Sequence, residues 1–229
     1  MVRAVKNTLL ASFLLAAGTV SAQFSLGGGP SFMFEFGNGK PFYGLHFNVE
    51  IPRNNEVTFY GRATYLFNQN KAEYIGDLAA IAKDANTDPQ WVNVSLENVT
   101  SIGYFMIDGG TRYYLINGFD EGFSLYGGTN LALIVNSVKY GNRFGEYDKE
   151  KYTLDMTQYP EGREKGTIIR LAVGFTGGIK YTIPAFGSFY LDFNPQLTLF
   201  GIPSTQGIPS SVYKPVFFNF NIGYRRELY

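Results

Sequence analysis

The chain contains one histidine, which lies in a row of polar residues with the spacing of a β-strand. His46, Asn48 and Glu50 are two positions apart, so in an extended strand their side chains share one face. A histidine beside a serine and an acid is the arrangement used for nucleophilic hydrolysis. Ser31 and Ser124 have the matching strand phase, but neither lies at a fixed spacing from His46. A hydrogen-bonded structural histidine is therefore the stronger interpretation.

Three other patterns that would suggest chemistry are incomplete. Asp77, Asp84 and Asp88 lie in one connecting segment, as the acids of an aspartate-based protease would, but polar loops commonly contain such residues. The glycines at 27–29 are not followed by the Lys-Ser/Thr pair of a phosphate-binding loop. A metal site would need cysteine, more histidine or regularly spaced carboxylates. The sequence therefore predicts no catalytic residue, no cofactor and no metal site.

Alternation of apolar and polar residues dominates the chain after residue 23 and predicts β-strands rather than helices. No apolar run is long enough to cross a bilayer as a helix, which takes about 18 residues. Gly109 and Gly110 are expected to mark a β-bulge, and the glycines at 27–29 to permit sharp curvature. Eight strands are predicted, at 24–36, 42–51, 57–67, 98–116, 123–138, 167–183, 189–200 and 216–226.

The nine charged residues within the central parts of the predicted strands all fall on the less apolar face. A charge facing lipid at mid-bilayer costs roughly 2–4 kcal/mol, so in a membrane barrel these residues would face the lumen as a cross-linked polar network. Glu50 and Arg62 are expected to pair, because a tight turn joins their strands. A soluble barrel would instead put the apolar face inside, and the pattern alone leaves that alternative open. The predicted lumen set is Glu35, His46, Glu50, Arg62, Asp108, Arg112, Arg170, Lys180, Asp192 and Arg225.

The first residues have the order of a secretory signal peptide. Arg3 and Lys6 provide the positive segment, residues 8–17 form a short apolar run, and Ala22 ends a small-residue cleavage motif. The predicted organisation is a signal peptide at 1–22 and one barrel domain at 23–229.

Composition narrows the range of partners. The 19 basic and 19 acidic residues balance, so no positive field is present to attract nucleic acid. The chain has no cysteine, which suits passage through an oxidising compartment without disulfide formation. Its 17% aromatic residues and 27 glycines favour a curved, twisted sheet.

The connections between strands differ in length on the two sides. Residues 52–56, 117–122 and 184–188 are short segments rich in turn-forming residues. The alternate connections are 37–41, 68–97, 139–166 and 201–215, and three of these four are long. Together with the signal peptide, the eight alternating strands and the aromatic C-terminal strand at 218–224, this pattern resembles the small outer-membrane β-barrel proteins of Gram-negative bacteria.

The resemblance covers residues 23–229 and implies an all-β fold. The expected structure is a closed antiparallel transmembrane β-barrel of eight strands, integral to the lipid of the outer membrane. It has short periplasmic turns, long surface loops and both termini in the periplasm. The barrel assembly machinery would recognise the C-terminal strand. Tyr229 is out of phase with Tyr224, so either Tyr224 ends the recognition signal or a bulge near Arg226 resets the phase.

The surface loops are the remaining candidates for partner binding. Residues 74–83 could form a short helix capped by Asp77, residues 91–96 a strand extension, and the tyrosines of 139–166 a protein contact. The sequence favours a non-enzymatic barrel with a plugged polar lumen. Such a barrel would be an envelope structural or interaction protein, or a subunit of a larger surface or secretion assembly. A barrel-embedded lipid hydrolase or protease and a narrow pore are the open alternatives.

Overall fold

A computed structural model describes residues 24–36, 40–117, 119, 122–155, 157, 165–203 and 214–228 of the 229-residue chain. The predicted signal peptide and Tyr229 lie outside these residues. No helix in the described part of the chain is long and apolar enough to cross a membrane. The strands are β1 Phe24–Glu35, β2 Phe42–Pro52, β3 Val57–Ala82, β4 Trp91–Ile116, β5 Gly122–Phe144, β6 Tyr152–Leu154, β7 Gly166–Ile183, β8 Gly187–Pro203 and β9 Val216–Leu228.

Eight of these strands form one closed ring. Each pairs antiparallel with its neighbours, and β9 pairs with β1 to close the ring. The short β6 lies outside the ring and pairs with the far end of β3. Closure leaves the ring without an edge, so its backbone groups are satisfied between strands, as a hydrocarbon environment requires. The expected all-β fold, a closed antiparallel barrel of eight strands, is confirmed.

The glycines predicted to permit curvature lie where β1 approaches its two neighbours. A side chain at Gly29 would collide with the backbone carbonyl of Ile222 on β9. A Cβ at Gly28 would lie 2.8 Å from the carbonyl oxygen of His46 on β2. Glycine at these positions allows strand approaches that a side chain would prevent.

Side chains alternate between the barrel interior and its outer surface, and the exterior is apolar. On β7, Phe175 is 67% exposed, whereas Arg170 is fully buried. A soluble ligand-binding barrel has the opposite arrangement, with an apolar interior and charges outside. An apolar exterior around a charged interior is the arrangement of a transmembrane barrel.

Short turns join the strands at one end of the barrel. In the β2–β3 turn, the Asn54 side chain accepts the backbone N–H groups of Glu56 at 3.0 Å and Val57 at 2.7 Å. Gly122 and Gly187 begin strands after the other two turns, with φ values of +58° and +134° that favour glycine. The long connections lie at the opposite end, so the expected asymmetry between short turns and long loops is confirmed.

Three strands extend well beyond their predicted ends, so the predicted helix at 74–83 is wrong. β3 continues to Ala82, β4 begins at Trp91 and β5 ends at Phe144, which confirms the strand extension expected at 91–96. Register shifts at Leu66/Gln69 and Tyr74/Gly76 interrupt the two-residue alternation in β3, which hides this extension in the sequence. We call β3 68–82, β4 91–102, β5 139–144 and β6 the extension. The other predicted strands agree with the structure to within a few residues.

Two expected irregularities are absent from the described strands. The pairing of β4 with β3 and with β5 is continuous through Gly109 and Gly110, so the predicted bulge there is wrong. Gly110 instead permits a close approach, because a Cβ would collide with the carbonyl oxygen of Thr129. Near the C-terminus, β9 keeps an unbroken register with β1 from Arg225 to Leu228, so no bulge occurs at Arg226.

Candidate functional site

The polar lumen is the candidate site, because the inward face of the strands concentrates the buried ionisable groups. All ten residues of the predicted set lie in the barrel interior, and none is more than 5% exposed. Strand alternation places them there, since each lies on the inward phase of its strand. The ten are Glu35, His46, Glu50, Arg62, Asp108, Arg112, Arg170, Lys180, Asp192 and Arg225.

Six of these side chains form one continuous series of ion pairs across the lumen. Arg62 binds Asp108 through two hydrogen bonds, Nε to Oδ1 at 3.0 Å and Nη2 to Oδ2 at 2.7 Å. The other terminal nitrogen of Arg62 lies 3.1 Å from Asp192 Oδ2, and Arg112 Nη2 lies 2.7 Å from the same oxygen. Arg112 and Arg225 both contact Glu50. We call this series, Asp108–Arg62–Asp192–Arg112–Glu50–Arg225, the ion ladder.

The ion ladder is electrically balanced, with three acids and three bases alternating along it. Hydroxyl groups satisfy the carboxylates further. Thr58 and Tyr114 donate to Glu50 Oε1 at 2.5 and 2.7 Å, and Tyr126 donates to Asp192. Buried charges are tolerated only when such partners offset the loss of hydration. The ladder therefore cross-links five strands of the ring, β2, β3, β4, β8 and β9.

The expected pairing of Glu50 with Arg62 is wrong. In the β2–β3 register Glu50 lies opposite Tyr60, and Arg62 lies opposite Asn48. The long arginine side chain instead reaches carboxylates on β4 and β8. Adjacency in a hairpin therefore does not determine pairing in the lumen, where side chains from several strands converge.

The remaining charged residues lie to either side of the ladder. Towards the loop end, Arg170 Nη2 lies 3.7 Å from Glu35 Oε1, which also accepts the Tyr104 hydroxyl at 2.6 Å. Towards the short-turn end, Lys180 donates to the carbonyl of Phe119 and lies over its ring, with Nζ 4.2 Å from the centroid. These contacts place Lys180 against the aromatic side chain of Phe119.

His46 lies in a hydrogen-bonded chain that does not suit nucleophilic catalysis. Ser31 Oγ donates to Asn221 Oδ1 at 2.6 Å, so it accepts from His46 Nδ1 at 2.9 Å. The other ring nitrogen, Nε2, lies 2.5 Å from the Tyr190 hydroxyl and accepts a hydrogen bond from it. A general base would accept a hydrogen bond from the serine hydroxyl before taking its proton, but here the histidine donates the hydrogen bond to the serine. Ser124 is also buried but lies on β5, opposite Lys180.

The loop acids do not converge on a site. Asp77 lies on β3, opposite Ser95, whereas Asp84 and Asp88 lie in the turn between β3 and β4. Asp84 accepts the backbone N–H of Asn86 at 3.1 Å. Within the described ranges, no group of three or more His, Cys, Asp or Glu side chains could hold a metal ion.

An apolar layer fills the lumen on the loop side of the ladder, and the sequence reasoning missed it. Its members share the inward phase of the charged residues, so Leu66 lies four residues beyond Arg62 and Met106 two residues before Asp108. The sequence does carry a signal for this layer, because several strands have an apolar residue on their otherwise polar face at the same height in the barrel. The layer consists of Met33, Phe42, Leu66, Tyr104, Met106, Ala132, Ile134, Ala172 and Phe217.

Comparison with known sequences gives little information about activity. No family model matches the chain. A stretch of 169 residues, 66% of the chain, is 26% identical to Oligo-1,6-glucosidase IMA5 of Saccharomyces cerevisiae. The chain spans only 28% of the length of that enzyme.

Several solved outer-membrane proteins are similar to the chain in overall structure. Neisserial surface protein A is 11% identical, with a TM-score of 0.49 over 91% of this chain and 98% of that one. OprG from Pseudomonas aeruginosa is 13% identical, with a TM-score of 0.47 over 90% and 96%. A major outer membrane protein from Thermus thermophilus is 12% identical, with a TM-score of 0.45 over 91% and 100%.

Similarities of this size assign no residue roles to the chain. The expected resemblance to the small outer-membrane β-barrel proteins is confirmed at the level of architecture. Its basis is the closed ring of eight antiparallel strands, with an apolar exterior and a polar interior.

Breaking the ladder at Arg62 and Asp108 should show strong coupling. Asp108→Leu leaves the buried Arg62 without its two-bond partner and should cost about 3–5 kcal/mol of unfolding free energy. The double variant with Arg62→Met should lose less than the sum of the single losses, by at least about 0.5 kcal/mol. Urea unfolding in lipid vesicles measures these free energies.

The exposed pair Arg143–Glu97, at 3.5 Å, provides the matched control. Its cycle, with Arg143→Met and Glu97→Leu, should give a coupling of about 0–1 kcal/mol. Additive effects at Arg62 and Asp108 would show that the ladder does not act as a connected unit.

Proposed function

We propose that the chain is an integral outer-membrane barrel with a closed lumen, which acts through the extension as an envelope structural or interaction protein. The main supporting observation is that paired charges and an apolar layer occupy the interior while a folded sheet stands at the loop end. A role as a subunit of a larger surface or secretion assembly is compatible with this arrangement.

Two successive barriers to ions along the barrel axis support the proposal that the lumen is closed. An eight-stranded barrel is only wide enough for its own side chains to fill the interior. Here the ion ladder crosses the middle of the lumen, and Tyr60 and Tyr126 lie against Arg112, with the guanidinium carbon 4.3 and 4.9 Å from the ring centroids. The apolar layer lies beyond the ladder and offers an ion no hydration. This arrangement disfavours the narrow pore.

The extension has a small apolar core of its own. Ala80, Val94 and Tyr152 pack together, and the Tyr152 hydroxyl donates to the carbonyl of Pro89 at 3.0 Å. The opposite face carries Ile81 and Trp91, which are paired across β3 and β4 and are 50% and 59% exposed. Exposed aromatic and aliphatic side chains on an ordered sheet suit contact with a protein partner. We therefore retain segments 68–97 and 139–166 as the proposed partner-binding regions.

Orientation and assembly follow from the same proposal. The N-terminus of β1, the C-terminus of β9 and the short turns lie at one end of the barrel, which would face the periplasm. Residues 1–22 would be removed as a signal peptide. The barrel assembly machinery would recognise β9, whose outward face carries Phe218, Phe220 and Ile222.

The enzyme alternatives have weaker support. The Ser31 hydroxyl accepts from His46, as described above, and both residues are enclosed in the lumen. Glycoside hydrolysis uses two carboxylates that flank the substrate. The lumen carboxylates Glu50, Asp108 and Asp192 are each held by arginine.

The closed lumen predicts that the purified protein conducts ions poorly. Recording of single channels in a planar bilayer should show no large, long-lived conductance steps, because the ladder and the apolar layer both block the path. Insertion is verified by recovering folded barrel from the bilayer. Stable, large steps from the inserted protein would contradict the closed lumen and favour a pore function.

The interaction role predicts that a partner can be captured from the extension in cells. A photoreactive residue in place of Trp91 or Ile81 should cross-link a protein on illumination of intact cells. The same residue in place of Asn54, in the β2–β3 turn, is the control and should not capture that protein. If the extension yields no protein cross-link, or the same products as Asn54, the interaction role is wrong.

A further inference from the structure

A cleft lies in the extension, between the end of β5 and the short β6. It is lined by residues 142–149 and by Leu154, and its volume is about 1010 Å³. Small-molecule sites typically enclose about 300–1,000 Å³, so the cleft has room for a ligand of that class. The proposed protein contact at Ile81 and Trp91 uses none of the lining residues. The cleft is therefore a separate candidate site.

The walls of the cleft are held in place by hydrogen bonds. At the end of β5, the backbone N–H of Gly145 donates to the carbonyl of Ser95 at 2.8 Å. Further along, Asp148 Oδ1 accepts two backbone N–H groups of the next turn, at 3.0 and 3.3 Å. Lys83 Nζ donates to the carbonyl of Lys149 at 2.8 Å. The cleft is therefore formed by the fold itself, as binding sites for small molecules usually are.

Two aromatic rings supply the apolar part of the lining. Phe144 and Tyr147 both line the cleft, and both are partly buried against the small core of Ala80, Val94 and Tyr152. Because the core holds one side of each ring, the remaining surface faces the cleft in a fixed position. Tyrosine adds a hydroxyl at the end of an apolar ring. These rings can stack on a flat apolar part of a ligand.

The charged groups of the lining balance one another. Arg143 and Lys149 are basic, and Glu146 and Asp148 are acidic. The cleft therefore has no excess charge that would attract an ion of either sign. Within the described part of the chain, Glu146 and Lys149 take part in neither of the exposed ion pairs. Their side chains can accept hydrogen bonds from a ligand and donate to it.

We propose that the cleft binds an uncharged saccharide. The rings of Phe144 and Tyr147 would stack on the apolar C–H face of a sugar ring. The carboxylate of Glu146 and the ammonium group of Lys149 would bond its hydroxyls, which both donate and accept. A purely apolar ligand would leave these charged groups without partners, and an anionic ligand would need an excess of bases.

The ligand could come from two sources, the cell's own surface polysaccharide or a free oligosaccharide. The inference rests on the proposed orientation, which places the extension outside the cell. Binding to the purified barrel tests the cleft without that assumption. The cross-linking at Ile81 and Trp91 tests a different surface, so the interaction role can hold even if the cleft binds no saccharide.

Titration of the isotope-labelled barrel, followed by nuclear magnetic resonance, tests the site directly. Dodecylphosphocholine micelles are used, because this detergent has no sugar head group. The probes are a panel of neutral glucose, galactose, mannose and N-acetylglucosamine oligosaccharides, and the polysaccharide released from the producing cell's outer membrane. Saturable shifts of the backbone N–H signals of Asn142, Gly145 and Leu154 are expected with at least one probe. The probe that binds more tightly identifies the source.

Two results of this titration would overturn the proposal. The first is the absence of saturable shifts at these three positions with every probe. The second is a larger saturable response to an uncharged serine- and glycine-rich peptide, which would assign the cleft to polypeptide.

Substitutions in the lining provide the second arm. Tyr147→Leu removes the ring but keeps an apolar side chain against the core, and should raise the Kd at least about tenfold, as loss of an aromatic anchor does. Tyr74→Leu is the matched control, because Tyr74 is an exposed tyrosine of the extension outside the cleft, and it should leave the Kd unchanged. An unchanged Kd in folded Tyr147→Leu would contradict the proposal. If that variant fails to fold, Glu146→Ala decides, with an expected several-fold rise in Kd against none for Glu73→Ala.

Discussion

A charged side chain that faces hydrocarbon costs roughly 2–4 kcal/mol at the bilayer midplane, and the rest of this barrel is arranged around that cost. Each spanning strand therefore has one face towards lipid and the other towards the barrel interior. The outward face of β7 carries Ile169, Leu171 and Phe175, whereas Arg170 and Lys180 point inward. Because the two faces alternate at every residue, a shift of one position would exchange the faces of a whole strand.

Charged residues that are excluded from the lipid-facing surface must therefore find partners inside the barrel. Because its acids and bases balance, the ion ladder can hold six charged side chains in a volume that excludes bulk solvent. Tyrosine and threonine hydroxyls donate further hydrogen bonds to the carboxylates. On the loop side of the ladder the interior changes from charged to uncharged polar and then to apolar side chains, and the Arg170–Glu35 pair lies against the apolar layer. The barrel is thus held by polar contacts in its middle and by apolar packing towards the loop end, and the extension continues from this sealed end.

The faces of the spanning strands could be predicted from sequence, because strict alternation reports directly which residues share a side. The extension could not, since bulges at Leu66/Gln69 and Tyr74/Gly76 break that alternation, and the segment after Tyr74 has a helix-like composition. The sequence also could not predict which charged side chains of the lumen pair with one another. Arg62 lies one strand from Glu50 in the ring but binds carboxylates on β4 and β8, because long side chains converge in a narrow lumen. The apolar layer was missed because its members occupy the face identified as polar.

In a membrane barrel with a polar interior, the even-numbered residues of β7 face the interior and the odd-numbered residues face lipid. The chain has no cysteine, so single cysteines can be introduced at each position from 168 to 178 and spin-labelled without background. Accessibility to oxygen, which partitions into lipid, should oscillate with a period of two, with maxima at Ile169, Leu171, Val173 and Phe175. Maxima at the even-numbered positions, or no oscillation at all, would show that β7 does not have one face towards lipid and the other towards the interior.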